Sequence, residues 1–297
     1  MGKSPSGKSG RARRPANTPR RLMQLRDART FILDLDGTVY LSDTLLPGAR
    51  DFVGYLRASG RRYVFITNNS SKTPEEYLAK LRRLGLPARL EDIYTSLDAT
   101  LAWMKKRRGR RVYAVGTPSF VRKVRAAGYT ITGDRPDWVL LGFDTTITYE
   151  KIKRAASAIR AGARFVATHP DINCPTAEGP IPDTGSFIRL FEAATGVSPT
   201  ICGKPYPSMI SGALARLGGR PTHAAIIGDR LYTDMAMGRA AGILSVLVLS
   251  GETARRDIAR SPEEHRPHLV FENLGEVLKA IRQEVAAPRR AVGRECP

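Results

Sequence analysis

The chain has 297 residues, 42% of them hydrophobic, and 48 lysines and arginines against 28 acids give it a net charge of +20. That length supports one large domain or two modest ones, and the lack of any run of about 18 apolar residues argues against a transmembrane helix. Three cysteines (Cys174, Cys202 and Cys296) without paired spacing point to reduced thiols in the cytoplasm, not to a disulfide framework or a zinc site.

The positive charge is concentrated at the start. Residues 1 to 26 hold eight cations and no acid, and without them the net charge falls to +12. Ser, Gly and Pro replace apolar periodicity there, so 1–27 is expected to be a disordered basic tail. Gly2 to Ser9 matches a P-loop pattern, but such a loop must follow a buried strand and nothing before Gly2 can form one. Met1-Gly2 with Ser6 matches a myristoylation pattern and no more.

From Phe31 onward, apolar strand-like runs alternate with helical patterns, the signature of a parallel sheet covered by helices. The first strand, 30–34, leads into Asp34-Leu35-Asp36-Gly37-Thr38. Alternate residues of a strand share a face, so Asp34 and Asp36 point the same way if the extended geometry persists that far. Burying two carboxylates without partners is costly, which implies a cation or a reaction there. A helix at 48–59 and a strand at 62–66 follow, the latter ending in Thr67-Asn68-Asn69-Ser70. Helices are then expected at 74–84, 97–107, 118–127, 149–161, 186–195, 207–217, 231–240 and 273–283. Strands are expected at 111–115, 137–141, 164–168, 222–227 and 243–249. Lys105 to Arg111 form a second basic cluster where a helix ends, a place that favours cations. Gly60, Gly85, Gly128 and Gly218 stand where helices should stop.

Polar residues do not follow every strand equally. Thr67-Asn68 follows 62–66, Gly228-Asp229-Arg230 follows 222–227, and Gly203-Lys204-Pro205 lies between them. Ligands of open α/β sheets bind beyond the carboxyl ends of the strands, so these clusters can meet Asp34 and Asp36 in one crevice. Residues 97–203 alternate strand and helix without such a set and read as an inserted α/β domain. The division expected is a core of 28–96 and 204–283, the insert at 97–203, and a flexible tail at 284–297. Thr67 and Asn68 offer a hydroxyl and an amide to such a ligand, or else they cap the helix starting near Pro74 or the turn before it. Lys204 supplies a fixed positive charge.

The ordered set Asp34-Leu35-Asp36-Gly37-Thr38, Thr67-Asn68, Lys204 and Gly228-Asp229-Arg230-Leu231-Tyr232-Thr233-Asp234 resembles the four motifs of the haloacid dehalogenase superfamily. Leu141 to Tyr149 and Ala167 to Pro175 resemble the 4-nitrophenylphosphatase (NagD-like) subgroup, whose members carry a large α/β cap. The resemblance implies a doubly wound, Rossmann-like α/β core and a Mg²⁺-dependent phosphatase of small phosphomonoesters such as sugar phosphates. By the same resemblance, Asp34 is a nucleophile that forms an aspartyl-phosphate and binds Mg²⁺. Asp36 protonates the leaving oxygen and activates water, its carbonyl on the metal. Thr67 and Asn68 are phosphate donors, and Lys204 serves both the nucleophile and the phosphoryl oxygens. Asp229 completes the metal site, and Asp234 orients a metal water or Lys204, or caps a helix. His169 and Asp171, in a Pro-rich loop of the insert, are expected to reach the substrate's leaving group.

Two rivals remain open at this level. A phosphotransferase or mutase would share the aspartyl-phosphate and differ in excluding water. A nucleic-acid-binding protein acting through the basic tail is disfavoured, because the catalytic positions are filled and no aromatic-studded motif is present. No membrane partner is expected, and a homodimer is compatible with the sequence.

Overall fold

The computed structural model describes residues 17–174, 176 and 178–283. The chain begins with α1 (Pro19–Asp27), β1 (Thr30–Asp34), a small hairpin of β2 (Tyr40–Leu41) and β3 (Thr44–Leu45), and α2 (Ala49–Ala58). It continues through β4 (Arg62–Thr67), α3 (Pro74–Arg83), β5 (Ile93–Thr95) and α4 (Ser96–Lys105). A middle stretch holds β6 (Arg111–Val115), α5 (Pro118–Ala126), β7 (Thr130–Ile131), β8 (Trp138–Leu141), α6 (Tyr149–Arg160) and β9 (Arg164–Ala167). A second hairpin, β10 (Asn173–Cys174) and β11 (Ile181–Pro182), leads to α7 (Thr184–Thr195) and β12 (Thr200–Ile201). The last stretch is α8 (Pro207–Leu217), β13 (Ala224–Gly228), α9 (Ala236–Ala240), β14 (Leu244–Val248), α10 (Arg255–Arg260), β15 (Leu269–Phe271) and α11 (Leu274–Arg282).

Two parallel sheets organise these elements. The larger has the order β15-β14-β13-β1-β4-β5, and the smaller β12-β9-β8-β6-β7. In the larger sheet the chain departs from β1 to one side through β4 and β5, and later fills the other side with β13, β14 and β15. The order therefore reverses between β1 and β13, and a crevice opens beyond their carboxyl ends. Asp34 is the last residue of β1, and Asp229 directly follows β13.

Alternation along the strands explains how both faces are covered. Phe31 and Leu33 of β1 pack in a cluster with Phe52 and Leu56 of α2 and Leu278 of α11, while Ile32 packs on the other face with Met209 and Ala213 of α8. Both faces are apolar because helices cover both, as a parallel sheet requires. In the smaller sheet, Trp138 and Leu140 face Leu97, Leu101 and Met104 of α4, whereas Val139 and Leu141 face Ile159 of α6 and Phe191 of α7. Helix α4 also places Ala99 in the core cluster of α8, so it packs against both bodies.

Several expectations need correction. The tail expected to be disordered over 1–27 includes α1, whose Leu22 and Leu25, with the C-cap Ala28, form an apolar face hidden among arginines; Leu25 is fully buried. Thr18 caps this helix, Arg26 Nε donates to the Ala280 carbonyl at 3.0 Å, and Asn17 exchanges hydrogen bonds of 2.9 and 3.0 Å with the backbone of Val270. The Gly2 to Ser9 match, the Met1-Gly2 signal, Cys296 and the tail at 284–297 lie outside the described residues. The edge strands β5 and β15 have three residues each, too few for any period to register. The helix expected at 231–240 is a π-helical turn over Leu231–Met235 followed by α9.

Candidate active site

The strand ends bring Asp34, Asp229 and Asp234 together, with one carboxylate oxygen from each lying within 4.8 Å of the others. All three are buried. Lys204 enters from the segment before α8, its Nζ touching Asp34 Oδ1 directly and standing 2.9 Å from Asp234 Oδ1. Burial works to lower the Lys204 pKa, but Asp234 and Asp34 outweigh it and hold the ammonium above its ordinary value. Burial raises the Asp34 carboxyl well above the usual range while Lys204 pulls against it. Burial and the Asp234 carboxylate push Asp229 up to about 7.

One cation among three buried carboxylates leaves the site short of positive charge. Asp229 shows where the deficit lies. Its Oδ2 accepts the Glu252 N–H at 2.7 Å, but its Oδ1 is buried without a hydrogen-bond partner among the described residues. Gly37, at φ 86°, and Gly251 close around this carboxylate; a Cβ at either position would overlap its Oδ2. A hard cation with oxygen ligands fits such an orphaned acceptor, and the donor set of Asp34, Asp229 and Asp234 is all oxygen. The residues present therefore suit a divalent metal.

The strand ends at Asp34, but Leu35 joins Phe31 and Leu33 in one core cluster, so the alternation that sets Asp34 and Asp36 on the opposite side continues past the strand end. Asp36 pairs with Tyr40 across a tight turn in which the Gly37 N–H donates to the Tyr40 carbonyl at 2.8 Å. The Tyr40 hydroxyl lies 3.4 Å from Asp36 Oδ2. Burial raises the Asp36 pKa, with Lys80 and Lys204 opposing. Asp234 serves twice: Oδ1 meets Lys204, and Oδ2 accepts the Arg230 N–H at 3.3 Å, which joins the two alternatives the sequence offered.

Thr67 ends β4 beside Asp34, and its Oγ1 accepts the Asn69 N–H at 3.1 Å. Asn68 departs from the phosphate-donor expectation, because its side-chain amide is already committed. Its Oδ1 accepts the Lys204 N–H at 2.8 Å, and its Nδ2 donates to the Lys204 carbonyl and to Asp171 Oδ2, each at 3.1 Å. His169 also departs from expectation. It is fully buried, held between Thr168 Oγ1 and Asp183 Oδ1 at 2.9 Å each, and does not face the opening. Burial works to lower its pKa, and Asp183 raises it beyond that effect.

Asp171 accepts from Asn68 Nδ2 and lines a cavity of about 570 Å³ with Asn173, Arg230, Tyr232 and Glu252. Arg230 Nε is 2.9 Å from Glu252, and its Nη1 is 3.9 Å from Asp171. In the sequence Arg230 stands in the Gly228-Asp229-Arg230 cluster with no role of its own, and the loop Ser250-Gly251-Glu252 is not singled out. Gly251 followed by an acid just after a strand was the available signal, but it is a common pattern.

Two family models match the chain: Haloacid dehalogenase-like hydrolase over residues 31–130 and HAD-hydrolase-like over residues 201–277. An acid sugar phosphatase of Staphylococcus aureus is 32% identical over 259 residues, covering 86% of this chain and 99% of the relative. The crystal structure of a Thermotoga maritima 4-nitrophenylphosphatase is 44% identical with a TM-score of 0.84, covering 87% of this chain and 99% of that one. A Mycobacterium tuberculosis glycerol phosphate phosphatase, solved in complex with magnesium, is 34% identical with a TM-score of 0.80, covering 86% and 77%. No helix among the described residues is long and apolar enough to cross a membrane.

Proposed function

The chain belongs to the haloacid dehalogenase-like hydrolases and is a phosphatase, and we propose that it hydrolyses small phosphomonoesters, sugar phosphates or similar metabolites, with Mg²⁺ as cofactor. The observation that carries this reading is the set of Asp34, Asp229 and Asp234 around one lysine, with Asp229 Oδ1 left unpartnered. Residues 97–203 act as the cap over a core of 28–96 and 204–283, and the sparse thiols suit a cytoplasmic protein.

An Asp34 oxygen attacks phosphorus as the ester P–O bond breaks, which leaves an aspartyl-phosphate. Asp36, held by the Tyr40 turn, gives its proton to the departing oxygen and then takes one from the water that attacks the acyl phosphate. Lys204 favours the anionic form of Asp34 by contact, against the effect of burial, and offers charge to the phosphoryl oxygens. Thr67, at the end of β4, offers its hydroxyl hydrogen to a phosphoryl oxygen. The metal would be held by Asp34, Asp229 and the Asp36 carbonyl, and when bound it offsets the repulsion between the phosphate dianion and Asp34. Asp234 keeps Lys204 in place.

Asp34→Asn tests the reading. The amide has the shape of the carboxylate but cannot be an anionic nucleophile, so turnover should fall by roughly 10³-fold or more with the fold intact. Near-normal phosphate release from a folded Asp34→Asn protein would sink the mechanism.

A further inference from the structure

A second hollow among the described residues lies apart from the one beside Asp171. It has a volume of about 720 Å³ and runs from Pro205 and Tyr206 along α9 to the first residues of β13 and β14. That volume lies within the range of small-molecule sites. Arg21 of α1, Arg239 of α9 and His268 line it, as do Glu264 and His265. Neither arginine is paired with a carboxylate among the described residues: Arg21 donates to Gln24 at 2.8 Å, and Arg239 Nη1 lies 2.9 Å from His268 Nε2.

The histidine shows that an acceptor is missing there. The Ser245 backbone N–H, which can only donate, points at His268 Nδ1 from 3.0 Å. Nδ1 is therefore the unprotonated nitrogen, and the neutral ring carries its hydrogen on Nε2. Nε2–H then confronts an Arg239 N–H, donor against donor, and protonating the ring would not relieve this. Burial and the two arginines hold the His268 pKa down to about 4, and burial with Arg20 and Arg239 lowers that of Arg21. An oxyanion at this point would accept from both arginines and from the ring.

We propose that this hollow is a second ligand site, which takes a phosphorylated small molecule with its phosphate held by Arg21, Arg239 and the Nε2–H of His268. The volume exceeds what a bare oxyanion fills, so the organic body of the ligand occupies the stretch toward Tyr206. Since Pro205 and Tyr206 adjoin Lys204, a ligand here touches the segment that carries the catalytic lysine.

The test is an NMR titration of the full chain at fixed ionic strength, with the ring resonance of His268 assigned by His268→Gln. One arm uses inorganic sulfate and the other phenylphosphonate, whose P–C bond the enzyme does not hydrolyse; sodium chloride is the control. We expect saturable shifts of His268 with both anions, tighter binding of the phosphonate, and affinity weakened about tenfold or more by Arg21→Gln or Arg239→Gln. If Arg239→Gln fails to fold, Arg21→Gln decides, because Arg21 lies on a terminal helix with a largely exposed outer face. Chloride producing the same shift, or affinity unchanged in the arginine variants, would overturn the site. Sulfate binding as tightly as the phosphonate would overturn the assignment to an organic phosphate.

Discussion

The side-chain amide of Asn68 grips the backbone of Lys204 from both ends, its Oδ1 taking the N–H at 2.8 Å and its Nδ2 giving to the carbonyl at 3.1 Å. The lysine that contacts Asp34 is thus placed by a residue 136 positions earlier, at the end of β4. Asn68→Ala leaves both backbone groups of Lys204 without their buried partner, at a cost of about 1–3 kcal/mol each. A misplacement of about 1 Å can also slow a reaction on the order of 100-fold. We expect kcat to fall between tenfold and 100-fold in Asn68→Ala with a smaller change in KM, together with a lower Tm. A variant that loses stability but keeps kcat would make the grip purely structural.

Metal dependence follows from the crowding of Asp34, Asp229 and Asp234. A divalent ion that binds only the folded state adds about 2.7 kcal/mol of stability at 100 times its Kd. Stripping with a chelator should abolish activity and lower Tm, and Mg²⁺ should restore both. In Asp229→Ala the Tm should no longer respond to Mg²⁺, because the orphaned Oδ1 is gone. Restoration by zinc alone would contradict an all-oxygen site.

His268 sets an acid limit on stability. Its pKa in the folded protein lies near 4, below the ordinary value of about 6.5, so between these limits the unfolded chain binds more protons. The stabilisation is fully present above pH 6.5, is lost as pH falls toward 4, and does not change further below that. Because the ring is only half-buried, the loss should be on the order of 1 kcal/mol. Chemical denaturation at pH 7 and pH 4.5 should give a smaller difference for His268→Gln than for the parent chain. Equal differences would mean that other groups carry the acid response.

The residues proposed to do the chemistry were legible because each lies in a short polar run at the end of an apolar strand, where neither a helix face nor a buried strand explains it. Asp34, Asp36, Lys204, Asp229 and Asp234 all read this way, and so did the alternation of strand and helix. What stayed hidden depends on contacts across the chain. The use of Asn68 needs Lys204 to arrive beside it, and the closure around Asp229 needs Gly37 and Gly251 from two other loops. Helix α1 was missed for a related reason. Leu22, Leu25 and Ala28 form a core face only once α11 is in place, and eight cations in the first 26 residues outweigh them in composition.

Asp171 and His169 sit two residues apart in one loop of the cap, yet they should behave differently. His169 is fully buried, and both ring nitrogens are engaged, by Thr168 and by Asp183, whose Oδ1 also caps α7. Removing the ring breaks this chain and leaves a void, so His169→Ala should lower Tm and reduce activity toward every substrate by a similar factor. Asp171 lines the cavity of about 570 Å³ with Arg230, Tyr232 and Thr233, which lie between Asp229 and Asp234 in the chain, and we propose that the leaving group occupies it. Asp171→Ala should therefore change kcat/KM among natural phosphomonoesters by about 1–3 kcal/mol, the range for one polar contact. It should leave 4-nitrophenyl phosphate nearly unaffected, since that leaving group needs little recognition or protonation. Both variants should be assayed with both substrate types. If Asp171→Ala lost activity equally on the two, Asp171 would act through Asn68 on Lys204, at the other end of the 3.1 Å hydrogen bond, and substrate choice would have to lie elsewhere in the cavity.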